Sequence, residues 1–434
     1  MRDIAVLGFM FLLVPLALTN TFNAFLLWGW MGLIALNGYM YGSMGNVPYV
    51  QIFAVITLVL LLMKKDPEFS KFELEGTSIL FILFAIHGLL CASFAYPGLS
   101  RNWELYLNVA KTILYCLLMP MMMKSRMRIF AVVLMLGMGV GFHGVLDGLR
   151  FIVSGGSHIA RGIAKFGDNN HYAMVMIMIV PMLFYIYQYS ARALVRYAAL
   201  STLVLVSLSV IATNSRGGLL SFGVMAMWIA LTSRQKFKGV VMIASVAALM
   251  LLLAPSSWYE RMNTIQSAGQ DMSFMGRVTA WKRASAIAME NPVFGGGFHA
   301  GQAGSIFNEF RYKQGLLGFV ETPDVGYPAA SHSIYFEVLG DLGFVGLLLF
   351  LSLMFHALIT SFRIKGMVKK IGPEALWLGD LANYTSASLV AYLIGGAALS
   401  AAYFDLPYLL VALMLVLKLH AQNLLDASKV KLTT

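Results

Sequence analysis

The chain has 434 residues, of which 59% are apolar and only 12% charged, with a net charge of +11. That composition excludes an ordinary soluble globule, and apolar runs near the ~20 residues a helix needs to cross a bilayer are continuous rather than alternating, which excludes a membrane barrel. Cys91 and Cys116 both lie inside apolar runs without a CxxC pair, so neither a disulfide framework nor a zinc site is expected.

In chain order, residues 1–18 carry one early arginine and an apolar run. No small-x-small cleavage site follows, and a second run starts at once, so this stretch reads as retained rather than as a cleaved leader. Further apolar segments fall at 22–40, 48–63, 77–95, 105–123, 129–152, 171–189, 196–213, 217–232, 238–254, 333–358, 382–400 and 404–420. The expected fold is therefore all-α: a polytopic membrane bundle of about twelve transmembrane helices. Residues 1–40 count as one crossing, interrupted or re-entrant near residues 15–20; counting 1–18 and 22–40 as two full crossings is the alternative and gives thirteen helices with the N-terminus outside. Residues 255–331 form one long polar helical loop, which divides the chain into an N-terminal bundle (1–254), the loop, and a C-terminal bundle with its tail (332–434).

The short loops set the orientation. Clusters at 124–128, 192–196, 234–238 and 363–370, the lysine-bearing tail and, more weakly, the mixed-charge 64–76 loop all fall on one side. By the positive-inside rule that side is cytoplasmic. Most of the 31 Lys and Arg sit there, so the basic excess reflects topology and nucleic-acid binding is disfavoured. The other side receives 96–104, 154–170, the turn at 213–218, the long loop and the turn around Asp405. The long loop balances six basic against six acidic residues, as suits a translocated segment.

Polar groups in a bundle are costly, and each needs a reason. Arg216 lies in a tight turn between two spans, with Gly217 and Gly218 beside it; a snorkelling interfacial arginine is the bland alternative. Arg277 belongs to an expected amphipathic helix in the loop, where a solvated face is the bland alternative. His332 opens the span that follows. Asp168, Asn169 and Asn170 suit helix capping before the next span, with sugar or phosphate binding as the sharper alternative. Arg161 and Tyr335 join Asn169 and Asn170 as candidate substrate-binding residues. Glu337 could orient His332 or bond between helices. Glu104, Lys111, Asp147 and Arg150 could pair as structural ions, and His87, His143 and His356 read as core or interface residues. No Asp-x-Asp pair or histidine cluster suggests a metal site, and no cofactor is expected.

Three motifs together resemble the O-antigen ligase and polymerase superfamily of bacterial inner membranes. They are Ser215-Arg216-Gly217-Gly218-Leu219-Leu220 between two spans, Asn291-Pro292-Val293-Phe294-Gly295-Gly296-Gly297-Phe298 in the long loop, and the stretch from His332 through Glu337 and Asp341 to Gly346. The opening Met1-Arg2-Asp3-Ile4 with Pro15-Leu16-Ala17-Leu18 also resembles O-glycosylation ligases associated with exosortase systems. The resemblance implies a membrane glycosyltransferase. It would take a glycan from undecaprenyl diphosphate and join it to a lipid A–core sugar on the periplasmic side of the inner membrane, without a metal and with inversion. It further implies that Arg216 and Arg277 bind the diphosphate and that His332 is catalytic. The sequence departs from the family at Ser333, where Asn is frequent, and at Phe166-Gly167-Asp168-Asn169-Asn170, which only approximates an Asn-Pro-Asn turn. A polysaccharide polymerase or a protein O-glycosylation ligase would use the same donor. A secondary transporter would also explain a dozen spans, but such folds carry repeated halves and mid-membrane polar sites, whereas these candidates gather at one face without a repeat.

Overall fold

The computed structural model describes residues 2–40, 42–63, 69, 71–234, 244, 248 and 272–433. Apart from residues 244 and 248, the expected 238–254 span lies outside the described residues, as do residues 255–271 of the long loop and Lys64 and Lys65. Among the described residues the fold is helical, with no strand. The helices are α1 (Arg2–Thr19), α2 (Thr21–Ile34), α3 (Tyr49–Leu62), α4 (Gly76–Ser93), α5 (Asn102–Met122), α6 (Arg126–Val153), α7 (Asn169–Tyr189), α8 (Ala193–Ala212), α9 (Arg216–Thr232), α10 (Met272–Glu290), α11 (Gly304–Phe310), α12 (Ile334–Ile371), α13 (Leu376–Gly395) and α14 (Asp405–Thr433). Seven of the described helices are long and apolar enough to cross a membrane, and four shorter apolar helices accompany them.

The expected interruption near residues 15–20 is a reversal. Asn20 caps α2 by accepting the Asn23 N–H at 2.8 Å, and Phe9 of α1 packs edge-on against Trp30 of α2 at 5.7 Å. Residues 1–40 thus form a helical hairpin rather than one interrupted rod. Two expected boundaries also move. The basic stretch 363–370, read as a loop, continues α12 to Ile371, and the tail continues α14. Lys and Arg are good helix formers, and cations in a last turn such as Lys369 and Lys370 are favoured by the helix dipole.

At the centre lie α7 and α13, the latter buried along nearly its whole length although it carries Asn383, Thr385, Ser386 and Ser388. The hydroxyls of Thr385 and Ser388 bond back to carbonyls one turn earlier, which keeps polar atoms satisfied where lipid and water are both absent.

All five connections expected opposite the basic side meet at one end of the bundle. Tyr96 N–H bonds Gly296 O, Phe298 N–H bonds Asn102 Oδ1, Ala160 N–H bonds Ala212 O, and Lys165 pairs with Asp405. The same end carries the break in α12. Gly343 adopts φ 69°, a left-handed conformation, and divides the helix. The glycine-rich 291–298 loop docks into that break. Gly296 N–H donates to Gly340 O, Gly297 N–H to Asp341 O, and Phe344 N–H to Pro292 O, each at 2.9 Å. His87 Nε2 takes Leu342 O at 3.0 Å. Every carbonyl from 340 to 342 that the break frees is therefore re-paired, as a non-helical turn within a membrane bundle requires. Close approach is obligatory: a Cβ on Gly295 would lie 2.5 Å from Gly343 N, and one on Gly343 would lie 2.6 Å from Pro292 O.

Candidate functional site

His332 is held in place by backbone from both sides. In α10, Trp281 stacks on Phe336 at 5.1 Å and donates its indole N–H to Ser331 O at 2.6 Å, while Arg283 donates to Ala329 O at 2.6 Å. On the other side His332 N–H donates to Ser400 Oγ at 2.9 Å. Between these anchors His332 adopts φ 44°, a left-handed conformation that disfavours a side chain by roughly 1–2 kcal/mol. Residues held in this way concentrate at functional sites. Its imidazole is half-buried and has no hydrogen-bond partner among the described residues. Burial lowers its pKa below the ordinary 6.5, the Arg277 charge lowers it further, and the Asp168 carboxylate opposes both. A neutral imidazole at neutral pH follows.

Three helix N-termini converge around this point. Ser215 caps α9 by accepting the Gly218 N–H at 3.0 Å, which leaves Arg216 as the first helical residue. Asp168 caps α7 through the His171 N–H at 2.8 Å. The two caps are stitched together, since Asn169 Nδ2 donates to Thr213 O and Ser215 Oγ to Asn170 Oδ1, both at 2.8 Å. Gly395 then packs against Ser221 of α9 and Met174 of α7, while its neighbour Gly396 packs against Ile334, the first residue of α12. Helix N-termini carry partial positive charge, which the Asp168 carboxylate already answers at α7, so the pull on a further anion comes from α9 and from α12, whose N-cap Ser333 makes no side-chain cap bond. Among the described residues Arg216 and Arg277 have no carboxylate partner and keep their guanidinium groups available.

A cavity of about 530 Å³ opens beside this cluster. Its wall includes Trp28, Tyr115, Lys111, Lys165, His171, His299, Glu337, Ser400, Tyr403 and Asp405. Lys165 Nζ bonds Asp405 Oδ2 at 2.7 Å and Gly32 O at 2.6 Å, and Thr112 holds the other Asp405 oxygen at 2.7 Å. Glu337 accepts the Ala402 N–H at 2.9 Å. The neighbouring His299, at φ 62°, has its pKa lowered chiefly by burial and next by Arg101, against Glu104.

The sequence candidates thus separate. Arg277 and Asp168 lie within electrostatic reach of His332, and Arg216 sits at the linked α7–α9 caps. None of His332, Arg216 and Arg277 is on the wall of the 530 Å³ cavity. Asn169 and Asn170 point their amides at the 213–215 turn, and Tyr335 donates its hydroxyl to Leu393 O at 2.7 Å, so all three serve helix contacts. Arg161 is exposed in the loop before α7. Glu337 bonds the 402 backbone rather than His332. Asp147 pairs with Arg150 at 3.1 Å and with His158 at 3.0 Å, and Glu104 with Arg101 at 3.5 Å, whereas Lys111 faces the cavity. Lys165 and His171 were visible in sequence as part of the polar cluster at 161–171, whereas His299 was not singled out and Asp405, the partner of Lys165, lies 240 positions away.

Fold and site together define a multi-pass helical membrane protein in which Arg216, Arg277 and the His332 imidazole, without a side-chain partner among the described residues, lie at one end. Residues 201–351 match the family described as O-Antigen ligase, a stretch that contains Arg216, Arg277 and His332. Residues 1–191 match a family described as being of unknown function. No curated protein matches the chain. The 201–351 segment thus supports the O-antigen ligase superfamily, a family of glycosyl-transferring enzymes in the broad sense.

Proposed function

We propose that this protein transfers a glycan from undecaprenyl diphosphate to the hydroxyl of a lipid A–core sugar, at the periplasmic face of a bacterial inner membrane. The observation that carries this reading is the meeting of the α7, α9 and α12 N-termini around a half-buried, unpartnered His332, with Arg216 and Arg277 at the same end. In the reaction the acceptor oxygen attacks the anomeric carbon. The bond from that carbon to the diphosphate oxygen breaks, and its electron pair leaves on the diphosphate. The hydroxyl proton passes to neutral His332 and from there to solvent. Guanidinium groups match phosphate oxygens bidentately and stabilise the charge that develops on the leaving group. Attack opposite the leaving group inverts the anomeric centre. With two fixed guanidinium charges at the leaving group, the chemistry calls for no metal.

Purified protein in nanodiscs, given a defined polyprenyl-diphosphate glycan and a chelator, tests the reading. Three acceptors are offered separately: lipid A–core, a second lipid-linked glycan, and a peptide bearing Ser and Thr. Product on lipid A–core alone is expected. Product only on the second glycan or the peptide would reassign the acceptor to that of a polymerase or a protein ligase. Transfer that stops with chelator and resumes with a divalent cation would contradict the metal-free route.

A further inference from the structure

We infer that Glu337 is a positioning residue for His332, and that it acts through the loop at 399–404 to fix the backbone that presents the imidazole. The role of His332 as a base rests on the transfer reaction proposed above, whereas the tie between the two residues does not. The start of α12 and this loop touch at two points. His332 N–H donates to Ser400 Oγ at 2.9 Å, and five residues further on Glu337 Oε2 accepts the Ala402 N–H at 2.9 Å. The first turn of α12 closes the circuit, since Glu337 N–H donates to Ser333 O at 2.8 Å. A single bond at Ser400 would let the segment pivot about it. A second bond, one helical turn along α12 and two residues along the loop, sets the angle as well as the distance.

The loop is stiff enough to pass that constraint on. Ala401 and Ala402 are buried, and their carbonyls are held from α13 and α14: Tyr392 donates its hydroxyl to Ala401 O at 3.1 Å and Tyr408 to Ala402 O at 2.7 Å. Asp341, one turn after Glu337, takes the Tyr403 hydroxyl at 3.1 Å and the His299 N–H at 3.0 Å, which ties the same loop to the glycine-rich one. A buried N–H needs some acceptor, and supplying one at Ala402 is the plainer role for Glu337. What sets this bond apart is its neighbour. His332 keeps φ 44° only while its surroundings over-determine that conformation, and Ser400, which helps to do so, lies two residues from the N–H that Glu337 holds. A reacting group displaced by about 1 Å can lose about a hundredfold in rate.

Glu337→Met keeps the length of the side chain and removes the acceptor, Glu337→Gln keeps an acceptor without the charge, and Ser400→Ala cuts the last link. In full-length protein in nanodiscs, kcat should fall about tenfold to a hundredfold in Glu337→Met and in Ser400→Ala with both KM values unchanged, while Glu337→Gln retains most of the activity. Because both residues act through one set of contacts, the double variant Glu337→Met with Ser400→Ala should lose no more than the worse single one. NMR of ring-labelled histidine, with the His332 signal assigned by its loss in His332→Gln, reads the same tie without turnover. Burial and Arg277 hold the His332 pKa below 6.5 against the pull of Asp168, so release of the ring should raise its titration midpoint in Glu337→Met and Ser400→Ala but not in Glu337→Gln. Loss of the Glu337 charge alone would move that midpoint down. If Glu337→Met does not fold, Glu337→Asp, which shortens the reach of the same carboxylate, is read in its place. Losses that multiply in the double variant, a raised KM at unchanged kcat, or a midpoint that stays or falls would each overturn the positioning role. A raised midpoint in a protein that transfers to none of the three acceptors would sink the transferase reading and leave the tie standing.

Discussion

Some cations at the two ends of the bundle are used differently. At the basic end Arg128, Arg196, Lys365 and Lys418 are engaged in structural bonds, as Lys165 and Arg283 are at the other end. Arg128 donates to Met122 O at 3.1 Å, Arg196 to Ser190 O at 2.9 Å, Lys365 to Thr232 O at 3.3 Å and to Asn383, and Lys418 pairs with Glu75 at 2.6 Å. At the loop-bearing end Arg216, Arg277 and the His332 ring have no such bond among the described residues, while the backbone around them is tied down by Trp281, Arg283, Ser400 and the glycine clasp. A charge that is already bonded can hold a helix end, but only an unbonded group on a fixed backbone can meet a substrate. The α12 break belongs with the second pattern, because the glycine clasp that fills it fixes the loop-bearing end of the helix that His332 precedes.

Several variants would break or sharpen this contrast. The largest effect is expected from His332→Ala, which should lower transfer by ~10²–10⁴, the usual contribution of a general base, while the bilayer-embedded fold persists. Transfer by this variant at the wild-type rate would remove His332 from the chemistry. Next in size, Gly343→Ala forces a side chain into a left-handed turn and against Pro292 O, and should cost roughly 3 kcal/mol from strain and overpacking together. A thermal unfolding scan in detergent would register this, with Gly217→Ala as a control because that position faces open space and should shift the midpoint little. Arg216→Lys should lose about tenfold to a hundredfold in transfer, because an ammonium cannot reproduce a bidentate fork; full activity in this variant would mean the diphosphate is held elsewhere. Smallest for catalysis is Lys365→Met at the basic end. It should lower stability by roughly 1–3 kcal/mol by leaving Asn383 and Thr232 O unpaired, and leave turnover per folded molecule unchanged. A turnover defect there would blur the division between the two ends.

Much of this division was readable in the sequence. Apolar runs located the described helices because a run long enough to cross a bilayer has few other uses, and the short-loop cations sorted the connections that meet at one end. Asp168 was legible as a cap because a short acceptor ahead of an apolar run satisfies open N–H groups. The reversal at Asn20 was only one of the alternatives the two apolar runs allowed, since a one-residue turn between apolar helices leaves the same trace as a kink. Asn169, Asn170 and Tyr335 looked available for a ligand, yet their partners, Thr213, Ser215 and Leu393, come from other helices. The role of the 291–298 glycines was hidden for the same reason: the groups that demand them lie in α12, about 45 positions downstream. The cavity, assembled from α2, α3, α5, α7 and the loop before α14, has no local signature.

The pH dependence of transfer in a pair of charge variants tests the central claim most directly. On the proposed mechanism His332 accepts a proton only while neutral, so activity should fall as pH drops through its folded-state pKa, which burial and Arg277 hold below 6.5. Removing the positive neighbour in Arg277→Gln should raise that pKa and move the acid limb of kcat/KM to higher pH. Removing the negative one in Asp168→Asn, which keeps a capable cap, should move the limb to lower pH. Opposite displacements are the expected result. An acid limb unmoved by both variants, or moved by both in the same direction, would contradict a proton-accepting imidazole at position 332.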